Sequence, residues 1–143
     1  MKPELAPRLR AIAAIILGCC LVSCANDSLP VPPAEYSLEI IGNWQGTVGD
    51  TKETVRINSE GTFVGQIHRT GFLANTLSQT LPGRVSGTWN VAGAMITLKI
   101  TDNEHEHLLN RIATSTIKSF TADKLILKSE RGETATFRRV AAF

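Results

Sequence analysis

From Leu38 to Val140 apolar residues recur at every second position, in short runs that end in turn signals. Such alternation lets one face of an extended chain be buried while the other stays wet. It is a poor match to a helix, whose buried positions recur three and four apart. Leu38, Ile40, Trp44 and Val48 share one parity, with Gly42 and Gly46 between them. Val55 and Ile57 alternate with Thr54 and Arg56, and Phe63 and Ile67 share a parity around Gly65. Val85, Gly87, Trp89 and Val91 follow, then Ile96, Leu98 and Ile100.

The breaks between runs carry turn chemistry. Asn58-Ser59-Glu60-Gly61, Ala92-Gly93, Thr121-Ala122-Asp123 and Arg131-Gly132 each separate two alternating stretches, and glycine supplies the positive φ that tight turns use. Ile112 to Phe120 is rich in Thr and Ser with imperfect parity, which predicts a bulge. Leu125 and Leu127 pair with a last strand running from about Glu133 to Val140, with Ala135 and Phe137 inward. Fifteen threonines, all after residue 46, favour pleated sheet over helix. Seven or eight short strands joined by tight turns give an all-β, antiparallel up-and-down meander, and closing it into a barrel removes exposed edges. Residues 70–82 are compatible with a short helical turn, a strand or a lid loop.

The first two dozen residues are of another kind. Lys2, Arg8 and Arg10 stand against Glu4, and an uncharged apolar run follows from Ala11 to Val22. A dozen residues fall short of the roughly 20 that a spanning helix needs, and the layout is that of a secretory signal helix. Leu21-Val22-Ser23-Cys24 resembles the lipobox of bacterial lipoproteins, with Ile16-Leu17-Gly18-Cys19 a poorer second match. The resemblance implies a signal peptide over residues 1–23, cleavage before Cys24, and acylation of Cys24 with a diacylglycerol and a further fatty acid such as palmitate. The alternative is a plain signal cut after Ala25, with Cys24 incidental. Two or more acyl chains hold a protein firmly in a bilayer. Ala25, rather than aspartate, after the cysteine implies the outer membrane, facing the periplasm, in a Gram-negative cell. Residues 24–37, with Pro30, Pro32 and Pro33, read as a lipidated cysteine and a semi-stiff tether. Residues 38–143 form the barrel domain.

Removing residues 1–23 takes Lys+Arg from 15 to 12 and Asp+Glu from 13 to 12, so the net charge falls from +2 to zero. A neutral, mixed surface lacks the electrostatic footprint of a nucleic-acid binder. All three cysteines, Cys19, Cys20 and Cys24, precede the barrel. The barrel therefore has no disulfide, thiol nucleophile or thiolate metal site.

Gly42-Asn43-Trp44 resembles the Gly-x-Trp opening of lipocalins and lipocalin-like barrels, with a second Gly87-Thr88-Trp89 mid-domain and Arg138-Arg139 near the end. The resemblance implies a lipocalin-like barrel in which Trp44 closes one end and Arg138 or Arg139 packs across it, with Trp89 a second structural tryptophan. A guanidinium can lie flat on an indole face. About 105 residues leaves short strands and loops.

Chemistry-bearing residues are sparse. His105 and His107, two apart beside Glu104 and Glu106, could face one ion on a strand, with His68 the third histidine, but a zinc site takes three or four ligands. A solvated polar loop with no metal is the expectation. No nucleophile elbow, HExxH or phosphate-binding glycine loop occurs, so neither catalysis nor a cofactor is expected. The leading expectation is a membrane-anchored cell-envelope lipoprotein whose barrel binds a small apolar or amphipathic molecule; composition favours a filled core for the interior, and a binding barrel would carry a small apolar pocket under residues 70–82. The alternatives are a protein-interaction module, such as a periplasmic inhibitor of a protease or lysozyme, and a purely structural envelope protein.

Overall fold

The computed structural model describes residues 28–48, 51–68, 71–77, 83–103 and 106–142. The proposed signal, Cys24, His105 and residues 78–82 lie outside them. Eight strands run in chain order: β1 (Gly42–Val48), β2 (Thr51–Ile57), β3 (Thr62–Ile67), β4 (Gly83–Ala92), β5 (Met95–Asn103), β6 (Ile112–Phe120), β7 (Lys124–Ser129) and β8 (Thr134–Val140). Each pairs antiparallel with the next, and β8 returns to β1, so the sheet closes into an up-and-down barrel. Closure gives each of the eight strands a hydrogen-bonded neighbour on both sides, which is the physical gain of the arrangement.

The period of two decides the inside. Phe63, Gly65 and Ile67 of β3 are buried, as are Val85 and Gly87 of β4, Leu125, Leu127 and Ser129 of β7, and Ala135 and Phe137 of β8. In β6 the register shifts between Ile117 and Ser119. The extra residue, Lys118, lets Ile117 and Phe120 both face inward. A second shift falls between Ser86 and Gly87 of β4. A Cβ at Gly87 would lie 1.9 Å from the Lys99 carbonyl oxygen, so the sheet closes there only over a glycine. Gly61, at φ +77°, ends the β2–β3 turn in a backbone state that other residues rarely adopt.

Connections alternate between the two ends of the barrel. One end is closed by the chain that leads into β1. Leu38–Ile41, expected as the start of the first strand, is not extended: a 3-10 turn (Pro33–Glu35) runs into a short helix, α1 (Tyr36–Glu39), and β1 starts only at Gly42. Tyr36 and Ile40 point into the core, while Leu38 is exposed, so the apparent parity there comes from a helical turn. Part of the stretch expected as a tether also lies on the barrel. Pro30 forms a bridge with Thr121, the Val31 N–H donates to the Phe120 carbonyl at 2.8 Å, and Tyr36 packs on Phe120 with ring centroids 5.4 Å apart. The prolines stiffen a strap that lies on the barrel.

The opposite end is covered by a second helix, α2 (Phe72–Leu77), within the connection from β3 to β4. That connection spans 15 residues, 68–82, where antiparallel neighbours need only two to five. Of the three forms open to residues 70–82, the described part takes the helical one.

Candidate binding site

Phe72, Leu73, Ala74 and Leu77 turn toward the barrel and are buried. Phe72 meets Phe137 edge-on, with centroids 5.9 Å apart. Phe137 reaches this position because residue 46 has no side chain: a Cβ at Gly46 would sit 2.5 Å from its ring. Below the helix lies an apolar cavity of about 30 Å³, walled by Trp44, Val55, Ile57, Leu73, Ile96, Leu98, Leu125, Leu127 and Phe137. Ligand pockets run to about 300–1,000 Å³, so with α2 in place the interior is filled, and Leu73 is one of the side chains that fill it.

At the rim of this apolar interior is a carboxyl group. Glu53 belongs to the inward row of β2, two residues before Val55, and its exposure is 0%. The Leu73 N–H donates to both of its oxygens, at 3.2 Å to Oε1 and 3.1 Å to Oε2. The amides of Phe72 and Ala74 assist. Two effects oppose each other. Burial raises the Glu53 pKa, the three amides lower it, and burial wins, pushing it from 4.5 to about 7. A shift of that size corresponds to about 3 kcal/mol against the ionised form. Burying Phe72, Leu73 and Leu77 contributes about 1.5–3 kcal/mol each, which offsets that cost and keeps α2 closed.

Further contacts hold the lid. Arg111 Nη1 donates to the Leu77 carbonyl at 2.9 Å, and Asn75 Nδ2 donates to Glu133 Oε1 at 3.2 Å. Beside α2 at this end is a polar cleft of about 270 Å³ whose walls include Thr76, Leu77, Arg111, Ser129, Glu130 and Arg131. Leu109 and Ile112 at this end are 42% and 61% exposed.

At the other end Trp44 is buried to 1% exposure, its indole N–H donates to the Ile40 carbonyl at 2.8 Å, and the Arg139 guanidinium lies 4.3 Å from its ring centroid. Arg139 also donates to the carbonyls of Ala122 at 2.6 Å, Ile41 at 2.7 Å and Glu39. Arg138, the neighbour that sequence could not distinguish from it, is exposed. Trp89 is half-buried and packs against the core, with its indole N–H on the Asn58 carbonyl at 2.9 Å.

His68 is half-buried and His107 exposed. Among the described residues no group of three or more His, Cys, Asp or Glu is placed to hold a metal ion, and no helix is long and apolar enough to cross a membrane. Glu53 escaped the sequence reading, although a signal was there: it stands at the parity of Val55 and Ile57, where an apolar residue is expected.

The chain matches no protein-family model and no curated protein. Solved structures similar to it include two from Bacteroides species. A lipocalin-like protein from Bacteroides uniformis ATCC 8492 is 16% identical, with a TM-score of 0.48 over 71% of this chain and 99% of that one. An uncharacterized protein from Bacteroides eggerthii DSM 20697 is 13% identical, with a TM-score of 0.45 over 70% and 98%. The fold stands on the ring of eight strand pairings itself.

Proposed function

We propose that this protein is a lipid-anchored envelope barrel that binds a small apolar or amphipathic molecule without catalysis. The observation that carries this reading is the covered end. An apolar interior is closed by a helix that the strand ladder does not require, set in a connection far longer than a hairpin needs and held by side chains rather than by sheet hydrogen bonds. Withdrawal of α2 would open the cavity while leaving all eight pairings intact.

The anchor in this proposal is an acylated Cys24 in the outer membrane. Ser28 Oγ donates to Asp123 Oδ1 at the α1 end of the barrel. Four residues of chain reach at most about 14 Å, so Cys24 would hold the α1 end close to the lipid and leave the α2 end facing away. That orientation suits uptake of a molecule from the aqueous side.

Native mass spectrometry of the protein recovered from its own envelope tests the reading. A retained small-molecule mass is expected, and its loss on unfolding would identify an interior ligand. A bare polypeptide mass, together with failure to take up apolar probes, would overturn it. Such a result would favour the second reading, an interaction module that binds an envelope protein such as a hydrolase. The observation on its side is the filled interior, with exposed Leu109 and Ile112 beside the polar cleft.

A further inference from the structure

Among the described residues Glu53 is the only charged side chain in the buried set, and the barrel does not need it there. A carboxyl group facing a core is costly unless something recurrently partners it. Its present partner is Leu73, which does two things at once. Its N–H donates to both carboxyl oxygens, and its side chain forms part of the wall of the apolar cavity. Seen from the barrel, this part of α2 is an apolar body with a hydrogen-bond donor at one end.

We propose that Glu53 is the polar end of a binding site beneath α2, and that the site takes a small apolar amine, with the ammonium on Glu53 and the hydrocarbon where Leu73 now sits. The proposal rests on the reading of the barrel as a binder and names the class of its ligand. An amine is selected because, among the described residues, the site presents an acceptor and no cation: the charged side chains that bond α2 from outside, Arg111 and Glu133, are engaged at Leu77 and Asn75. The strands flanking β2, namely β1 and β3, carry no ionisable residue, and neither does α2. On β2 itself Lys52 is exposed, and Arg56, at the outward parity, donates to Asn43 Oδ1. Arg138 of β8 is exposed, and His68, in the connection to α2, accepts the Gly71 N–H through its carbonyl. A carboxylate ligand would set two acids together, and an alcohol would supply a hydrogen bond without the charge.

Size sets a second limit. A cavity of about 150 Å³ lined by apolar residues accommodates a benzene-sized molecule. Withdrawal of Leu73 enlarges the existing space toward that range, so a single aromatic ring or a short alkyl chain fits better than a long acyl chain. The upward displacement of the Glu53 pKa, caused by burial, agrees with a site whose described residues supply no counter-charge. An ammonium would supply it, and amine binding should strengthen as the pH rises through about 7.

The test uses the full protein and three water-soluble probes of matched size: 2-phenylethylamine, 2-phenylethanol and 3-phenylpropanoate, titrated by calorimetry at pH 8. The amine is expected to bind at least about tenfold more tightly than the other two, as charge-assisted hydrogen bonds are worth that much. Glu53→Gln should remove the preference, and Leu73→Ala should strengthen binding of the amine. Equal binding of all three probes would overturn the amine assignment while leaving the barrel a binder. Binding of none, by either the wild type or Leu73→Ala, would overturn the amine assignment, and together with a bare polypeptide mass from the envelope it would overturn the reading of the barrel as a binder as well. If Glu53→Gln does not fold, the wild-type ranking decides alone.

Discussion

Glu53 and Leu73 meet at the rim of the barrel, with one backbone N–H donating to both carboxyl oxygens at 3.1 and 3.2 Å. This contact joins the wall of the barrel to its cover. Among the described residues the other contacts that hold α2 are apolar side chains and the outer bonds of Arg111 and Glu133, so Glu53 is the buried titratable group at the lid.

Stability should depend on pH through this group. Its pKa in the folded protein, about 7, lies above the ordinary 4.5. The neutral acid is therefore favoured by folding. The contribution is complete below about pH 4.5, declines as the pH rises to about 7, and is absent above it. Urea unfolding should show wild-type stability falling by up to about 3 kcal/mol across this window. Glu53→Gln should flatten that part of the profile. A wild-type profile with no fall between pH 4.5 and 7 would contradict the buried environment of Glu53.

Gly71 packs directly on the same carboxyl. A Cβ there would lie 1.6 Å from Oε1 and 2.3 Å from Cδ of Glu53. Gly71→Ala must displace either the side chain or the start of α2, and overpacking of this kind costs about 1–3 kcal/mol. The double variant Gly71→Ala/Glu53→Ala should lose less than the two single variants summed, by at least about 0.5 kcal/mol. Strict additivity in thermal unfolding would mean that the two residues do not touch.

At the far end the two adjacent arginines separate. Arg139 lies over Trp44 and donates to three backbone carbonyls, while Arg138 is exposed. Arg138→Ala should change stability by no more than about 0.5 kcal/mol. Arg139→Lys should be nearly as damaging as Arg139→Ala, because an ammonium cannot reach several carbonyls while stacking on an indole. Trp44→Ala should cost about 3–5 kcal/mol. Equal effects of the two arginine substitutions to alanine would remove the distinction.

The anchor is tested apart from the barrel. Cys24→Ala should abolish incorporation of radiolabelled fatty acid and release the protein from the membrane fraction. Undiminished labelling would show that acylation is elsewhere, with Cys19 the first place to look.

Strand parity, turn positions and closure of the sheet were legible in the sequence, because alternation is a local property: a residue's face follows from its neighbour's, and Val55 and Ile57 or Ala135 and Phe137 can be placed two at a time. The bulge in β6 was legible for the same reason, since a parity break is visible where it occurs. The pairing of a first-strand tryptophan with a late arginine could be narrowed to Arg138 or Arg139 and no further. Tertiary structure decided what depends on ends meeting after closure. Leu38 and Ile40 mimic a strand in sequence, yet only Ile40 reaches the core, because the chain must turn helically to cover the barrel mouth. The parity of Glu53 with Val55 and Ile57 is visible in the sequence, but not that a carboxyl group is buried there. Its burial is set by Gly71 and α2, which arrive about twenty residues later in the chain and only through the fold.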